Sequence, residues 1–532
     1  MSSTPPPFSY ALPYPSARVP VLARQAVATS NPLAAQVGLS VLEQGGNAID
    51  AAVAVAAALA VVEPTMNGLG GDLFALVWDG SELSGLNASG RAPSAWSLSR
   101  FAGGGSMPEL GWDSVTVPGA VSGWAALSER FGSQPFARLL APAIAYARDG
   151  FPVMPKMAEL WAEAVTRFAE FPEFRRVFLA GGRAPRVGEW YRLADVADSL
   201  EAIAGSQGSE FYRGKLAARI AQAAALAGGA LTLEDLAAHQ AEWVNPIGID
   251  FRDARACELP PNGQGLATLI ALGILERLPL DGLAPEHPDA VHFQIEAMKL
   301  AFGECRRHLA SADRMRVTPD ALLSDSHLDG LARRVRLDRA APHQPGPARD
   351  HGTVYAATAD RDGRMVSLIQ SNYLGFGSGV VVPGTGISLH NRGLGFSLDP
   401  EHPNVVAGGA RPYHTIMPGF LLRAGKPAMS FGVMGGHMQP QGHVQLVLRT
   451  VLHRQNPQAV CDAPRWYVGE RSEVALEPEL AREVSDSLAA RGHELVEDPA
   501  PLLFGGAQAI YRLPEGYCAG SDPRKDGQAV GS

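Results

Sequence analysis

Residues 348 to 379 read ARDHGTVYAATADRDGRMVSLIQSNYLGFGSG, and this stretch decides the fold. Two apolar runs, TVYAATA and RMVSLIQSN, flank the turn residues DRDG, a pattern that predicts a buried β-hairpin. Thr353 opens the first run and directly follows Gly352. A β-branched residue favours extended backbone, so a threonine at this position has a purely structural explanation. A chemical explanation competes with it.

The chemical explanation starts from the weak reactivity of a threonine hydroxyl, which needs a base to remove its proton. Cleavage between Gly352 and Thr353 would create an α-amine with a pKa of about 7.7–8.0, which can act as that base. The preceding segment, 331 to 352, loses apolar periodicity and accumulates Pro and Arg. That composition is typical of a mobile linker that could release a new terminus, although an ordinary interdomain linker is the alternative.

The rest of the chain predicts helices first and strands later. Ala- and Leu-rich helical patterns dominate from about 25 to 330, including the apolar run 48 to 62, with strand-like pieces between them at 73 to 80 and 244 to 251. After residue 352 the pattern turns strand-like, and the stretch 379 to 389, GVVVPGTGISL, indicates a further strand. We therefore expect an α+β fold in which layered sheets and helices pack as one unit.

The composition excludes several classes of protein. A net charge of -9 over 532 residues argues against a nucleic-acid partner. The four cysteines lie far apart, which indicates neither a disulfide scaffold nor a zinc site, and we expect no metal or cofactor. The N-terminus lacks the charged and apolar regions of a signal peptide, and the run 48 to 62 is too short to span a bilayer. The expectation is a cytoplasmic protein with no membrane partner.

Two glycines and one arginine are candidates for binding groups. Gly435 and Gly436 in FGVMGGHMQPQGH (431 to 443) can present two backbone N–H groups to one oxygen, although a tight turn is the alternative. Arg91 in LNASGRAP (86 to 93) can clamp a carboxylate, although a solvated surface charge is the alternative. His437 and His443 lie six residues apart without nearby carboxylates, which does not favour a metal site.

Five segments resemble one known family: 45 to 64, 67 to 72, 115 to 124, 258 to 265 and 521 to 531. The sequence resembles the γ-glutamyltranspeptidases, or glutathione hydrolases, which are self-processing N-terminal nucleophile hydrolases. The resemblance implies an αββα sandwich cleaved into a large subunit, 1 to 352, and a small subunit, 353 to 532. It places Thr353 at the nucleophile position, and therefore makes Gly352–Thr353 the cleavage site.

The resemblance also assigns roles to the groups around the nucleophile. Ser371 falls where the family has a hydroxyl that bonds the nucleophile's amine, and Gly435 and Gly436 match the oxyanion pair. Arg91 is a nearby but inexact counterpart of an arginine that the family places before Ala-Pro.

Other matched positions depart from the family pattern. Tyr373, Arg392 and Gly395 stand where members gather Asn, Gln or Glu, and Asp around the γ-glutamyl α-amine. His414 and Thr415 replace a Ser-Ser pair that contacts the α-carboxylate. Loss of the acidic residue and gain of an arginine favour an anionic or neutral acyl tail over an α-ammonium group.

The interval between Asn391 and Arg411 is too short for the lid loop of many family members. The chain is thus most similar to the branch that includes cephalosporin acylases, in which hydrolysis should prevail over transfer to amine acceptors. The expected activity is hydrolysis of γ-glutamyl amides such as glutathione. An acylase for glutaryl or other dicarboxyl amides is the first alternative, and a catalytically inactive binding homologue is the second. The expected partners are a small-molecule amide and the two subunits of one precursor, with a dimer of these left open.

Overall fold

A computed structural model describes residues 17 to 341 and 352 to 532. Residues 1 to 16 and the part of the predicted linker from 342 to 351 lie outside the described residues. Residues 331 and 332, at the start of that predicted linker, complete a helix, Asp325–Ala332, that packs on the core through Leu328 and Leu331.

The strands of the described part are numbered in chain order. They are β1 (Val21–Ala23), β2 (Ala26–Thr29), β3 (Asp72–Trp78), β4 (Leu83–Asn87), β5 (Phe151–Pro152), β6 (Trp190–Tyr191), β7 (Glu242–Val244), β8 (Ile247–Phe251), β9 (Ala254–Glu258), β10 (Val354–Ala359), β11 (Met365–Ser371), β12 (Gly419–Arg423), β13 (Lys426–Met434), β14 (Trp466–Val468), β15 (Val474–Leu476), β16 (Gly506–Arg512), β17 (Tyr517–Ser521) and β18 (Gln528–Gly531).

The α-helices of the same part are numbered likewise. They are α1 (Pro32–Glu43), α2 (Ala48–Val62), α3 (Ala120–Phe131), α4 (Phe136–Asp149), α5 (Pro155–Arg167), α6 (Pro172–Phe178), α7 (Ala194–Gly205), α8 (Ser209–Arg213), α9 (Lys215–Leu226), α10 (Leu233–Ala238), α11 (Gly265–Glu276), α12 (Pro288–His308), α13 (Pro319–Leu322), α14 (Asp325–Ala332), α15 (Met438–Val451), α16 (Pro457–Asp462) and α17 (Pro478–Ala490).

Two seven-stranded sheets form the centre of the protein. One has the order β1-β17-β16-β13-β12-β9-β8, and the other has the order β18-β2-β10-β11-β3-β4-β7. Apolar side chains of both sheets meet in one cluster that includes Tyr355 and Ile369 from one sheet and Phe420 and Ile510 from the other. Helices cover the two outer faces, with α1 to α4 on one side and α11, α12 and α15 on the other. The αββα sandwich is confirmed.

The predicted hairpin is confirmed as the β10–β11 pair. Its antiparallel register pairs Val354 with Gln370 and Ala359 with Met365. Every residue of both strands is buried, because one face meets the second sheet and the other meets α2. That double burial explains the continuous apolar runs.

The helix predicted from the alanine-rich run is also confirmed. All fifteen residues of α2 are buried, and their small side chains let the helix lie close to the sheet and to neighbouring helices. Its N-terminus is fixed by a capping box in which the Asn47 side chain accepts from the Asp50 N–H, while Asp50 accepts from the Asn47 N–H. None of the described helices is long and apolar enough to cross a membrane.

One sequence expectation is wrong in detail. The stretch 379 to 389 forms no strand and makes only isolated bridges, between Val381 and Ser388 and between Leu389 and Gly70. The strands expected between the early helices, at 73 to 80 and 244 to 251, are confirmed as β3 and as β7 with β8, and residues before 352 supply strands to both central sheets. The two predicted subunits therefore share each sheet, and neither forms a layer by itself.

Candidate active site

Thr353 lies immediately before β10, and the hairpin register places it opposite Ser371 at the end of β11. Its side chain is buried, with only 2% of the residue exposed. The Thr353 Oγ1 donates to the carbonyl oxygen of Gly352 at 2.6 Å and lies 3.3 Å from Ser371 Oγ. Ser371 Oγ donates to the same Gly352 oxygen at 2.6 Å. Two hydroxyl groups thus converge on the carbonyl of the predicted cleavage site.

Gly352 has a backbone conformation that explains why glycine precedes the threonine. Its φ of +120° is a value that other residues rarely adopt. A Cβ atom at this position would lie 2.4 Å from the Tyr373 carbonyl oxygen and 2.9 Å from the Gly375 nitrogen. Any larger residue would push the carbonyl away from the two hydroxyls.

Ser371 also connects the junction to a buried arginine. Its Oγ accepts from the Tyr373 N–H at 2.8 Å and from Arg392 Nη2 at 3.3 Å. Arg392 is 1% exposed, donates from Nη1 to Thr415 Oγ1 at 2.8 Å, and lies 4.0 Å above the Tyr373 ring. The structure therefore brings together four predicted site residues, Ser371, Tyr373, Arg392 and Thr415, beside Thr353.

Gly395 lies three residues after Arg392 in the short helical turn Arg392–Gly395. A Cβ atom here would approach the Tyr413 carbonyl oxygen to 2.4 Å. The close backbone contact leaves no room for the acidic side chain that family members place at this position. Gly395 therefore supplies no negative charge beside Arg392.

Both ring nitrogens of His414 have partners inside the protein. Its Nε2 is 3.0 Å from Asp72 Oδ2, and its Nδ1 accepts from the Ile416 N–H at 3.3 Å. Asp72 Oδ1 accepts from the N–H groups of Gly90 and Gly119, so three chain segments converge on one carboxyl group. Burial raises the pKa of Asp72 to about 7 and lowers the pKa of His414.

The Asp72–His414 pair was not predicted as a pair. The only indication of the pair in the sequence is a lone aspartate that follows the glycines of GLGGD, at the start of an apolar strand. The contact with Asp72 fixes His414, which directly precedes Thr415. Thr415 in turn accepts a hydrogen bond from Arg392. Substrate contact by His414 remains a prediction.

Gly435 and Gly436 connect the end of β13 to the start of α15 with φ values of +116° and +49°. The strand lies against the β10–β11 hairpin: the Phe431 carbonyl accepts from Ser367 Oγ, and Gly432 contacts the ring of Tyr355, which lies two residues after Thr353. Within residues 17 to 341 and 352 to 532, neither glycine N–H donates to a carbonyl outside the helix and sheet ladders. Both N–H groups are therefore available to bind the carbonyl oxygen of a substrate, and the oxyanion role remains a prediction.

Gln264 fixes the position of this loop. Its Nε2 donates to the Gly436 carbonyl at 2.9 Å and to the Thr415 carbonyl at 2.5 Å. It was not singled out from the sequence, where it is one of several polar residues in the turn 258 to 265. The amide connects the arginine side of the site to the glycine side.

Arg91 lies at the surface rather than among these groups. Its guanidinium donates to the Gly409 carbonyl and to Glu242, and its side chain is 45% exposed. Arg411 is the buried arginine of this region, because it donates to the Ser89 carbonyl at 2.9 Å and pairs with Glu242 at 2.7 Å. Substrate binding by Arg91 would require it to exchange these partners, and it remains a prediction.

One group of three potential metal ligands exists in the described part, formed by His292, Glu296 and His493. The Lys299 ammonium donates to Glu296 Oε1 at 3.0 Å and lies 3.1 Å from His493 Nδ1. The cluster therefore already contains a cation supplied by the chain.

His239 near Arg411 gives the protein a measurable sensitivity to acid. Its Nε2 lies 2.8 Å from Ser122 Oγ, its ring stacks on Tyr212, and burial lowers its pKa to about 3. An unfolded histidine binds its proton near pH 6.5, so below that pH only the unfolded state takes up this proton. Its contribution to stability is complete above pH 6.5 and is lost as the pH falls toward 3.

We expect His239→Gln, which cannot titrate, to reduce the loss of stability in acid. Between pH 7.5 and pH 5.0, the decrease in unfolding free energy should be about 2 kcal/mol smaller in the variant, since one proton contributes about 1.4 kcal/mol per pH unit below 6.5. Urea unfolding at the two pH values measures this difference. An equal decrease in both proteins would contradict a neutral buried His239.

Comparison with known proteins adds four results. The family model described as Gamma-glutamyltranspeptidase matches residues 34–532. The chain is 38% identical to the oxamate amidohydrolase proenzyme of Klebsiella pneumoniae subsp. pneumoniae, covering 94% of this chain and 97% of that protein. It is 36% identical to the glutathione hydrolase-like YwrD proenzyme of Bacillus subtilis, covering 96% and 98%. The crystal structure of cephalosporin acylase from Bacillus halodurans superposes with a TM-score of 0.95 at 46% identity, covering 99% of both chains.

Proposed function

The chain belongs to the γ-glutamyltranspeptidase family of N-terminal nucleophile amidohydrolases, and from this premise we propose that it hydrolyses amides whose acyl group ends in a carboxylate and carries no α-ammonium group. Arg392 carries the proposal, since its buried guanidinium lies one hydrogen bond from Ser371 beside the nucleophile. A buried cation attracts a carboxylate and repels an ammonium group. Glutaryl amides and oxamate, the compound in the name of one relative, have such acyl groups.

Maturation begins at the Gly352–Thr353 bond. Thr353 Oγ1 attacks the Gly352 carbonyl carbon, and Ser371 Oγ donates to the carbonyl oxygen as its negative charge develops. As the C–O ester bond forms, the C–N bond breaks and the proton of Thr353 Oγ1 passes to the released nitrogen. Water then hydrolyses the ester. The products are a Gly352 carboxylate and a free α-amine on Thr353.

Turnover uses the same hydroxyl group. The α-amine accepts the proton of Thr353 Oγ1 as this oxygen attacks the substrate carbonyl. The N–H groups of Gly435 and Gly436 bind the oxyanion, and the amine product leaves. Water then releases the acid from the ester.

Paired substrates test the acyl preference. We expect kcat/KM for glutaryl-p-nitroanilide to exceed that for γ-glutamyl-p-nitroanilide at least about tenfold, because only the second carries an α-ammonium group. Added glycylglycine should stimulate the reaction less than twofold. A tenfold preference for the γ-glutamyl substrate would contradict the proposal.

Arg392→Gln tests the residue that carries it. Charge-assisted hydrogen bonds contribute about 1.5–3 kcal/mol, so kcat/KM for the glutaryl substrate should fall roughly 10- to 100-fold. The corresponding loss for butyryl-p-nitroanilide, which has no terminal carboxylate, should be under threefold. Equal losses would assign Arg392 a structural role only.

Hydrolysis of γ-glutamyl amides such as glutathione is the second candidate. It is favoured by the relatives named glutathione hydrolases, including the Escherichia coli proenzyme at 30% identity over 95% of this chain. The α-carboxylate of a γ-glutamyl group could also pair with Arg392. The paired assay above separates the two functions.

A further inference from the structure

Asp72 is a buried carboxyl group that faces two histidines. Its Oδ2 lies 3.0 Å from His414 Nε2, and its Oδ1 lies 3.7 Å from His390 Nε2. None of the three side chains is more than 1% exposed. Asp72 begins β3, whereas both histidines lie between β11 and β12, so the fold joins distant parts of the chain here. We call these three residues the Asp72 cluster.

Hydrogen bonds fix the positions of the histidine protons in this cluster. His390 Nδ1 accepts from the Arg392 N–H at 3.0 Å, and His414 Nδ1 accepts from the Ile416 N–H at 3.3 Å. In a neutral histidine the ring proton must then be on Nε2, the atom that faces Asp72 in both cases. The cluster therefore carries one negative charge when Asp72 is ionised and both histidines are neutral.

The Asp72 cluster is connected to Arg392 by two routes. His390 accepts the backbone N–H of Arg392, and His414 directly precedes Thr415, whose Oγ1 accepts from Arg392 Nη1. The guanidinium also acts on the cluster through its charge. Among the charged groups nearby, Arg392 lowers the pKa of each of the three members most strongly. It stabilises an ionised Asp72 and disfavours a charged histidine.

Other ionisable groups act on the cluster in the described part of the chain, and after cleavage one more lies nearby. They are Arg411, His239, Tyr212 and the new α-amine of Thr353. Arg411 stays positive, whereas His239 is neutral because burial lowers its pKa to about 3. Burial raises the pKa of Tyr212, which keeps its phenol protonated. The α-amine is thus the group of this set that titrates near neutral pH, and a test must distinguish it from the cluster.

A substrate carboxylate at Arg392 changes the balance of charge. Without it, the positive Arg392 and the negative Asp72 compensate each other. A bound carboxylate adds a second negative charge beside one buried cation, and an uncompensated buried charge is costly. One proton on the cluster, shared by Asp72 and His414 across 3.0 Å, restores neutrality.

We propose that the Asp72 cluster takes up one proton from solvent when an acyl carboxylate binds to Arg392. This inference rests on the proposed function, because it requires a carboxylate on the acyl group. Asp72, His390 and His414 are then positioning residues that determine how the affinity for an anionic acyl group depends on pH.

The direction of the pH dependence follows from the charges. Burial holds the pKa of Asp72 at about 7 in the free protein, and a bound carboxylate raises it further. Below pH 7 the cluster is protonated in both states, so affinity is high and constant. Between the free and the bound pKa, affinity for an anionic acyl group falls by up to about tenfold per pH unit as pH rises. A neutral acyl group has no such dependence.

The ratio of kcat/KM for glutaryl- over butyryl-p-nitroanilide isolates the effect of the acyl carboxylate, because nucleophile and leaving group are the same. We expect this ratio to fall about fivefold between pH 7.5 and pH 8.5 in the processed wild-type protein. Asp72→Asn keeps an oxygen for the N–H groups of Gly90 and Gly119 but binds no proton, so its ratio should change less than twofold. A ratio in wild type that does not depend on pH would overturn the proposal.

His443→Gln is the matched control. His443 Nδ1 lies 2.7 Å from Glu258 Oε1, and both side chains are as buried as those of the Asp72 cluster. Burial lowers the pKa of His443 with no contribution from Arg392. We expect this variant to show the pH dependence of wild type. If the dependence disappeared here as well, it would not belong to the Asp72 cluster.

Calorimetry measures the proton directly. The ketone 5-oxohexanoate resembles a glutaryl amide but cannot be hydrolysed, and its binding heat is compared in HEPES and Tris at pH 7.5. We expect wild type to take up at least about half a proton per ligand, and Asp72→Asn to take up almost none. Binding without proton uptake would overturn the proposal. Unchanged uptake in Asp72→Asn would also overturn it, since the proton would then belong to the Thr353 α-amine.

A titration without ligand separates failure of this proposal from failure of the proposed function. The ring resonances of ¹³C-labelled His390 and His414 are followed by NMR against pH in wild type and in Arg392→Gln, which needs no Asp72 variant. Loss of the guanidinium should raise the midpoint by at least about one pH unit. If this shift is found but 5-oxohexanoate does not bind, the proposed substrate is wrong and the coupling of the cluster to Arg392 stands. Equal midpoints overturn the coupling.

Discussion

Replacing Thr353 with alanine should leave the chain in one piece and abolish amide turnover. The hydroxyl is the attacking group in both reactions, so no other group of the site takes its place. Loss of a covalent nucleophile lowers kcat by at least about 10⁴-fold. Denaturing gels after purification measure cleavage, and release of nitroaniline measures turnover.

Two controls make the Thr353 result specific. Thr353→Ser keeps a hydroxyl group and should still be cleaved and active. Thr358→Ala removes another buried threonine of β10, whose Oγ1 donates to the Ala48 carbonyl, and should be cleaved normally. Cleavage of Thr353→Ala into the same two fragments as wild type would refute the assignment of the nucleophile.

Ser371→Ala should slow maturation about 10²- to 10³-fold, the usual effect of removing one donor to a developing oxyanion. Its hydroxyl donates to the Gly352 carbonyl at 2.6 Å and would stabilise the charge that forms when Thr353 attacks. The rate is measured by following the fraction of uncleaved chain over time after rapid purification.

Ser367→Ala is the matched control for this variant. Ser367 lies in the same strand, is buried, and bonds to Tyr355 Oη at 2.7 Å, yet it does not contact the junction. We expect its cleavage rate to match wild type. If Ser371→Ala matured as fast as Ser367→Ala, the proposed donor role of Ser371 would be wrong.

The hairpin and α2 could be predicted because their patterns are local. The apolar runs on either side of DRDG and the alanine-rich helix α2 are buried on all sides. A continuous run of apolar residues is therefore enough to predict each of these elements. The apolar stretch 379 to 389 misled the same reasoning. It contains Pro383, and Gly384 and Gly386 have φ values of +66° and +67°, which break the ladder that Val380 to Val382 would otherwise continue.

The partners within the site could not be predicted, because the contacts join distant parts of the chain. His414 and Asp72 are separated by 342 residues, and no local pattern connects them. For the same reason, the sequence could not show which arginine of this region is buried. Arg91 had the appropriate sequence context, but its side chain is 45% exposed and Arg411 occupies the buried position, although both pair with Glu242.

Intact-mass measurement with N-terminal sequencing of purified, active protein tests the central claim most directly. The account predicts two fragments of about 37 and 19 kDa from the 56.1 kDa chain, the smaller beginning Thr-Val-Tyr and the larger ending at Gly352. Active protein that remains a single 56.1 kDa chain, or that is cleaved at another bond, would contradict it.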